Sequence, residues 1–257
     1  MATFKSKLKA GPALLGTFLQ IPAGDIPEMF GHAGFDFGIV DTEHGMLGMD
    51  MAMQLLRACD AMGMATVFRV PGVDHHCITQ ALDFGASAVM IPDIRNPESA
   101  TRAVAAAKYH PDGNRGICPF ARGAGYNAGQ DLDYYRRANV ETAVVLQIEA
   151  SDGIANLDRI LEVPNVDGIF IGPFDLSQSL GIPGQVTSPR VLEAVRDIVR
   201  RAGKRGIAVG NFAVTVEQAN RYMDMGIQFL AYATDTMIMA QSCQTLRKAI
   251  MGPRTPA

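Results

Sequence analysis

The 257-residue sequence lacks several features, and each absence excludes a class of protein. No apolar run approaches the ~20 residues that a membrane-spanning helix needs, so we expect no membrane as a partner. The net charge is −3 and no extended basic face stands out, which argues against nucleic acid as a partner. The four cysteines are far apart and include no Cys-x-x-Cys pair, which excludes a thiolate metal site and a dithiol redox motif.

A secretory signal is also missing from the start of the chain. Residues 1–14 contain several lysines, but the apolar part that follows is short and interrupted by glycine and proline. A signal peptide needs a continuous apolar core. We therefore predict a reducing, cytoplasmic location in which the cysteines stay unpaired.

Eight short apolar runs alternate with eight stretches of helical periodicity. The predicted strands are 13–19, 35–40, 65–70, 86–91, 143–148, 168–171, 206–209 and 228–231. Continuously apolar strands between amphipathic helices are typical of a parallel sheet covered by helices, and eight such units in about 250 residues favour closure. We predict an α/β fold, a (β/α)8 TIM barrel that occupies residues 1–257 as a single domain.

One segment, residues 110–140, interrupts this alternation. It is long, rich in glycine and without clean periodicity. Long ordered loops in compact domains are commonly functional. We therefore expect this segment to reach the mouth of the barrel.

Polar residues stand directly after the predicted strands, where the active sites of TIM barrels are built. The second strand is followed by Asp41 and His44, and the third contains Arg69 at its end. The fifth and sixth strands are followed by Glu149 and Asp175. An imidazole, a guanidinium and several carboxylates are therefore expected to meet at one rim.

The carboxylates allow more than one assignment. Glu149 and Asp175 lie one β/α unit apart, so they could hold a divalent cation through oxygen or act as an acid and base couple. Asp175 could instead cap the helix that follows it. Asp41 and Glu43 form a rival pair of carboxylates, and spacing alone leaves these roles open.

The two basic candidates have two interpretations each. Arg69 lies in a buried strand, where an unpaired guanidinium is costly, so it needs an anion. That anion is either an internal carboxylate such as Asp41 or Glu43, or a substrate oxyanion. His44 stands at a strand end near those carboxylates and is either an acid/base group or a structural residue.

The predicted rim lacks groups that other barrel enzymes use. None of the lysines follows a strand inside the barrel, which argues against imine chemistry. The last two strands run into VGNFAV and AYATDT rather than glycine-rich loops, which disfavours a phosphorylated substrate. The turn at Gly172 and Pro173 opens a helix, and its backbone amides could receive a carboxylate.

Six stretches of the chain, in their order and spacing, resemble the class II, metal-dependent pyruvate aldolases. This family includes 4-hydroxy-2-oxoheptanedioate aldolase and 2-dehydro-3-deoxyglucarate aldolase. The stretches are FDFGIVDTEHG, FRVPGVD, ALDFGASAVMIPDI, YHPDGNRG, VLQIEA and VDGIFIGPFDLSQSLGIPG. The succession of QIE and GPFDLS one unit later is the most specific signal, and the resemblance covers nearly the whole chain.

The resemblance implies a metal site and a substrate site. Glu149 and Asp175 would bind the divalent cation, Mg, Mn or Co. Arg69 would support the enolate oxygen, and the backbone at Gly172 would hold the carboxylate of the keto acid. The implied substrate-binding residues are Arg69, Gln147, Gly172, Pro173 and Asp175.

The resemblance also implies an acid/base group. His44 would exchange the proton, and Asp83 and Asp41 would be its supporting carboxylates. The implied catalytic residues are therefore His44, Arg69, Asp83 and Asp41.

The implied enzyme is a carbon–carbon lyase. It would cleave 4-hydroxy-2-oxo acids reversibly to pyruvate and an aldehyde through a metal-bound pyruvate enolate, so its partners are a small keto acid and an aldehyde. Oxaloacetate decarboxylation at the same site is an alternative, and a barrel that binds a keto acid without turnover is another. The family is typically a hexamer, a trimer of dimers that exchange a C-terminal helix, here 236–251.

Three positions depart from many relatives in ways that concern the substrate. Phe18 stands where tryptophan is frequent, and Gly72 where an aromatic residue is common. Asp93 adds negative charge where relatives often have an apolar residue. These departures predict a wider mouth and make a long acidic acceptor a less expected substrate.

Overall fold

Eight parallel strands close into a barrel in a computed structural model of the chain, which describes residues 3–126 and 128–252. The strands are paired in chain order, and β8 closes the barrel by pairing with β1. They are β1 Leu14–Leu19, β2 Phe37–Asp41, β3 Ala65–Arg69, β4 Ala88–Ile91, β5 Ala143–Ile148, β6 Gly168–Ile171, β7 Ala208–Ala213 and β8 Phe229–Thr234. The predicted TIM barrel is confirmed.

Within the described residues, twelve α-helices surround this barrel. They are α1 Phe4–Ala10, α2 Asp25–His32, α3 Met49–Ala61, α4 His75–Asp83, α5 Pro97–Ala107, α6 Tyr134–Glu141, α7 Ser151–Ala155, α8 Leu157–Ile160, α9 Pro173–Ser179, α10 Pro189–Gly203, α11 Val216–Asp224 and α12 Asp235–Met251. Side chains cap several of them. Asn96 and Ser188, each followed by proline at the first helical position, accept the N–H groups of Ser99 and Val191.

The alternation of side chains along each strand divides the interior into two layers. One set of buried residues packs between the sheet and the helices, and includes Val40, Phe68 and Leu146. The other set fills the barrel itself, and includes Ile39, Val67 and Phe170. Residues at odd positions of β2 and β3 therefore point into the barrel, which decides where the polar residues at the ends of these strands lie.

Helix α1 covers the amino end of the barrel. The periodicity of the sequence predicted no helix in this segment. Phe4 packs edge-on against Phe37, at 5.5 Å between ring centroids, and against Phe229, at 5.8 Å. Leu8 joins the same buried cluster. Because this end is filled by side chains, the open carboxyl end is the one available to a ligand.

The expectation for the loop at 110–140 is wrong. The side chain of Arg122 donates to Asp60 Oδ2 over 2.6 Å and to the carbonyl of Phe84 over 2.9 Å. These partners lie at the carboxyl ends of α3 and α4, which lead into the starts of β3 and β4. The loop is therefore held at the end of the barrel opposite its mouth, where helix carbonyls and a carboxylate attract the arginine.

Among the helices within residues 3–126 and 128–252, none is long and apolar enough to span a membrane.

A fully buried lysine, Lys108, fastens α5 to the segment that enters β5. Its Nζ donates to the carbonyls of Asn139, over 2.8 Å, and Thr142, over 2.6 Å. Burial lowers the pKa of Lys108 to about 8, against the opposing attraction of Asp167. The native protein therefore gives up this proton at a lower pH than the unfolded chain does.

We predict that the stability contributed by Lys108 increases with pH. Between pH 8 and 10.5 the unfolded lysine keeps its proton while the native lysine loses it, so the free energy of unfolding rises. The difference in this free energy between the wild type and Lys108→Met should rise by about 3 kcal/mol across that window. Urea denaturation of both proteins measures it, and a difference independent of pH would contradict the prediction.

Candidate active site

Polar side chains line a cavity of about 290 Å³ at the carboxyl end of the barrel. Its walls come from the ends of β1, β2, β3, β5 and β6 and from the strands β7 and β8. The lining includes Phe18, Gln20, His44, Arg69, Gln147 and Asp175. Residues predicted from four different strand ends are thus brought together.

A buried ion pair joins the second and third strands at this end. Asp41 and Arg69 are opposite each other in the β2–β3 register, and both point into the barrel. Arg69 donates from Nε to Asp41 Oδ1 over 2.9 Å, and its NH2 lies 2.8 Å from Oδ2. Its NH1 lies 2.9 Å from Glu43 Oε2. The predicted internal carboxylates of Arg69 are therefore both present.

The guanidinium of Arg69 still has hydrogen-bonding capacity. Arginine has five N–H donors; the Nε–H of Arg69 donates to Asp41 Oδ1, whereas NH1 and NH2 approach Glu43 and Asp41 Oδ2 as ion pairs. Its carbon Cζ lies 4.7 Å from the ring centroid of Phe18, which adds a cation–π contact. The remaining N–H groups on NH1 and NH2 are available to an oxyanion in the cavity.

The charge of Asp41 is maintained despite its burial. Burial raises the pKa of Asp41, but the hydrogen bond and charge of Arg69 lower it by more, with help from Gln20 and the N–H of His44. The net pKa is below the ordinary value of an aspartate. Asp41 is therefore a permanent anion that fixes Arg69, rather than a group that takes up protons.

Gln20 was missed in the sequence analysis. It follows β1 directly, and its Nε2 donates to Asp41 Oδ2 over 2.8 Å. A polar residue after the first strand was the available signal, because it belongs to the same rim as the other strand ends. Its partner, however, becomes evident only when β1 and β2 lie side by side.

His44 lies in the turn after β2 with a side chain that is 64% exposed. Its Nε2 is 4.0 Å from Glu43 Oε2, and its backbone N–H donates to Asp41 Oδ1 over 3.2 Å. Burial raises the pKa of Glu43, while the charges of Arg69 and His44 oppose that rise. The predicted support from Asp41 therefore reaches the main chain of His44 and not its imidazole.

Asp83 was predicted to support His44, but no hydrogen bond or ion pair joins the two side chains among the described residues. Asp83 ends α4, and its Oδ1 accepts from NH2 of Arg115 over 2.6 Å. The Arg115 side chain is buried and its Cζ stacks 4.5 Å from the ring centroid of Tyr109. Asp83 is held at the amino side of the barrel because α4 runs away from the mouth, so within one chain it belongs to a structural pair.

Glu149 is a buried carboxylate at the end of β5. Its Oε1 accepts the backbone N–H of Asp93 over 2.8 Å, and its Oε2 accepts from Gln147 Nε2. Burial raises the pKa of Glu149, and the nearby charge of Asp175 raises it further. A Cβ at residue 172 would lie 2.5 Å from Glu149 Oε2, so the glycine there lets the carboxylate rest against the backbone.

These features fit a divalent cation held by oxygen. Two carboxylates, Glu149 and Asp175, lie close enough to raise the pKa of the former, and a cation between them would relieve that repulsion. Gln147 Oε1 is buried without a hydrogen-bond partner in the described structure, which adds an unused oxygen. No group of three His, Cys, Asp or Glu side chains in metal-binding arrangement occurs among residues 3–126 and 128–252, so water or substrate would complete the coordination.

The backbone N–H of Gly172, which was predicted to bind the substrate carboxylate, already has an acceptor within the protein. The N–H of Gly172 donates to the carbonyl of Ile148 over 3.3 Å. Pro173, the first residue of α9, has no N–H, so the next donors in the turn are those of Phe174 and Asp175.

An aromatic wall faces the polar residues. Phe18 packs edge-on against Phe212, at 5.4 Å between centroids, and against Phe170, at 6.0 Å.

Beside the mouth, the space around Gly72 is open, with no atom within 4 Å of the position that a Cβ would take. Asp93 adopts a left-handed backbone with φ of 52°, and its Oδ1 accepts from Arg95 Nε over 2.7 Å. The departures from related sequences thus leave room near Gly72, while the charge of Asp93 is paired.

Comparison with known proteins gives a consistent result. Residues 15–242 match the family described as HpcH/HpaI aldolase/citrate lyase. The chain is 36% identical over 252 residues to a hydroxypyruvate/pyruvate aldolase of Paraburkholderia phytofirmans, covering 94% of this chain and 96% of that protein. It is 34% identical to a 4-hydroxy-2-oxo-heptane-1,7-dioate aldolase of Klebsiella pneumoniae, covering 95% of this chain and 91% of that one.

A solved structure agrees with these sequence relatives. The crystal structure of an HpcH/HpaI aldolase/citrate lyase family protein from Burkholderia cenocepacia J2315 superposes with a TM-score of 0.90 at 31% identity. The match covers 96% of this chain and 98% of the other. The similarity therefore extends over the whole barrel and its mouth.

We predict that Asp41→Ala destabilises the protein, because it leaves the buried guanidinium of Arg69 with Glu43 as its remaining partner. The free energy of unfolding should fall by about 3 kcal/mol, as when one member of a buried ion pair is removed. Asp131→Ala is the matched control, since Asp131 and Arg137 form an exposed pair that solvent screens, and its effect should be much smaller. Equal losses in urea denaturation would contradict the interpretation of Asp41.

Proposed function

Because the chain belongs to the HpcH/HpaI aldolase/citrate lyase family, we propose that it is a divalent-metal-dependent lyase that cleaves 4-hydroxy-2-oxo acids to pyruvate and an aldehyde. The curated relatives are named as aldolases, which supports the reaction class. The observation that carries the proposal is the convergence of Arg69, His44 and the Glu149–Asp175 pair at one open end of the barrel.

The proposed role of Arg69 is to stabilise negative charge on the 2-oxo oxygen. Cleavage of the bond between C3 and C4 leaves its electron pair on C3, and this charge is delocalised onto the oxygen as an enolate. The Nε–H of Arg69 is committed to Asp41, whereas NH1 and NH2, which form ion pairs with Glu43 and Asp41, still have N–H groups to offer at the cavity. Donors that are already oriented toward a developing oxyanion need no reorganisation during the reaction.

His44 is the proposed acid/base group. It accepts the proton of the 4-hydroxyl as the aldehyde carbonyl forms, and the enolate carbon is then protonated to give the methyl group of pyruvate. Its exposed imidazole lies at the cavity, where a proton can be exchanged with solvent. Glu43, 4.0 Å away, stabilises the imidazolium that results.

Glu149 and Asp175 are the proposed ligands of the cation, Mg, Mn or Co. When bound, a divalent cation supplies Lewis-acid stabilisation of the negative charge that develops on the keto acid. Gln147 offers its free Oε1 beside them, and the first turn of α9 offers amide donors for the substrate carboxylate. The aromatic wall of Phe18 and Phe212 favours a small apolar group such as the methyl of pyruvate in the inner part of the cavity.

The proposed partners are therefore a small keto acid and an aldehyde. We further propose a homohexamer, built as a trimer of dimers, in which α12 is exchanged between subunits. The exposed apolar side chains of Leu246, Ile250 and Met251 on that helix support this arrangement, because such side chains are commonly covered by a partner. The unpaired state of all four cysteines supports a cytoplasmic location.

We predict that Arg69→Ala lowers turnover by roughly 10² to 10³, the size seen when one oxyanion donor is removed. The assay is loss of the pyruvate methyl signal in heavy water by proton NMR, with Mg added, which reports enolate formation without an aldehyde. Cleavage of 4-hydroxy-2-oxo acids is followed in parallel. Wild-type rates in Arg69→Ala would remove the arginine from the mechanism, and no exchange by the wild type with any divalent metal would overturn the proposed function.

Removal of either proposed ligand should abolish tight metal binding. We expect Glu149→Gln and Asp175→Asn to weaken Mn binding strongly in calorimetric titrations, because a neutral amide replaces a charged oxygen ligand. Asp152→Asn is a suitable control, since Asp152 lies near the mouth but outside the proposed pair. A chelator should stop methyl exchange, and Mg or Mn should restore it. Unchanged Mn affinity in both ligand variants would place the metal elsewhere.

A further inference from the structure

A glutamine after the first strand connects two parts of the barrel mouth. Gln20 lines the same cavity as His44 and Arg69. Its Nε2 donates to Asp41 Oδ2 over 2.8 Å, and its Oε1 accepts from Thr236 Oγ1 over 3.3 Å. Because the carboxylate can only accept and the hydroxyl donates here, the two ends of the amide cannot be interchanged without losing the bond to Asp41.

The main chain of Gln20 is fixed as well. Asp235, the buried first residue of α12, accepts the backbone N–H groups of Gln20 and Ile21 with Oδ2 over 2.9 and 2.8 Å. Its Oδ1 accepts the N–H of Thr236 over 2.7 Å. The end of β1 and the start of α12 are therefore joined, and the side chain of Gln20 leaves that junction toward Asp41.

At Asp41, the glutamine completes the set of donors around the carboxylate. Oδ1 accepts from Arg69 Nε and from the backbone N–H groups of Glu43 and His44. Oδ2 accepts from Gln20 and lies 2.8 Å from Arg69 NH2 in the ion pair. The terminal torsion of an aspartate has a broad energy well, so the number of donors around it decides how narrowly its oxygens are placed. Without Gln20, Oδ2 would keep only the arginine that it is meant to orient.

We propose that Gln20 is a positioning residue that holds the Asp41 carboxylate, and through it the free N–H groups of Arg69, and that ties this arrangement to the start of α12. The inference rests on the proposed function, in which Arg69 stabilises the enolate oxygen. Displacement of such a donor affects the charged transition state more than the bound ground state. Turnover, rather than affinity for the keto acid, therefore depends on Gln20.

The first test compares rates of pyruvate methyl exchange with Mg present. Gln20→Met keeps the length of the side chain and removes both hydrogen bonds, and kcat should fall by roughly 10-fold to 100-fold with KM nearly unchanged. Thr236→Val removes only the donor to Oε1 and should give a smaller fall in the same direction. Gln228→Met is the matched control. Gln228 accepts the N–H of Val209 over 3.2 Å at the amino end of the barrel, and its loss should leave kcat unchanged.

A second readout follows the arginine directly, whether or not the protein turns over substrate. In protein labelled with 15N-arginine, the Nε–H signal of Arg69 is assigned by its absence in Arg69→Lys. It should shift in Gln20→Met and, by less, in Thr236→Val, and stay in place in Gln228→Met.

The outcomes of the two readouts are distinct. An unshifted Arg69 signal in Gln20→Met overturns the inference. This holds even if kcat falls, because a fall in kcat without a shift would mean that the glutamine acts on the substrate directly. A shifted signal with an unchanged kcat also overturns the inference. If the wild type shows no methyl exchange at all, the proposed function is rejected, and the Arg69 signal alone then tests whether Gln20 positions Arg69. If Gln20→Met does not fold, Thr236→Val is judged by the same two criteria.

Discussion

The ion pair between Asp41 and Arg69 is the interaction around which the mouth of the barrel is organised. A guanidinium at the end of a buried strand is expensive to desolvate, and it is tolerated because its neighbour in the register is a carboxylate. That carboxylate receives further donors from Gln20 and from the turn that carries His44. One paired charge thereby fixes the end of β1, the turn after β2 and the orientation of the arginine.

Two buried carboxylates at the same rim have opposite properties, and the difference follows from their partners. Asp41 faces an arginine, which lowers its pKa below the ordinary value in spite of burial. Glu149 faces another carboxylate, Asp175, and burial and that charge raise its pKa. The first group is an internal counter-ion, whereas the second still needs a positive charge. A divalent cation beside Glu149 would meet that need and would leave Arg69 free for the substrate.

The contacts that stabilise the fold and the residues proposed for the reaction lie at opposite ends of the barrel. At the amino end, Phe4 of α1 closes the interior against Phe37 and Phe229, and the buried Lys108 binds carbonyls near the start of β5. At the carboxyl end, the strands stop at polar residues and leave a cavity. This division is general in TIM barrels, because the packed interior allows the loops at one end to vary without loss of the fold.

Much of the fold could be predicted because the pattern of apolar residues is local. The alternation of short apolar runs and helical periods predicted all eight strands, with β5 and β6 at their observed bounds. It missed the continuation of β7 to Ala213 and of β8 to Thr234, where small and polar residues dilute the apolar run. It also missed α1, a short helix that is stabilised by packing under the barrel rather than by its own periodicity.

At the site, the sequence by itself determined which residue types stand at the strand ends, and hence that Arg69, His44, Glu149 and Asp175 meet at one rim. Only the tertiary structure decided their partners. It paired Asp83 with Arg115 instead of His44, placed the loop around Arg122 away from the mouth, and brought Gln20 to Asp41 and Thr236. The physical reason is distance along the chain. Periodicity depends on neighbours a few residues away, whereas the contact between Gln20 and Thr236 exists only because β8 closes the barrel onto β1.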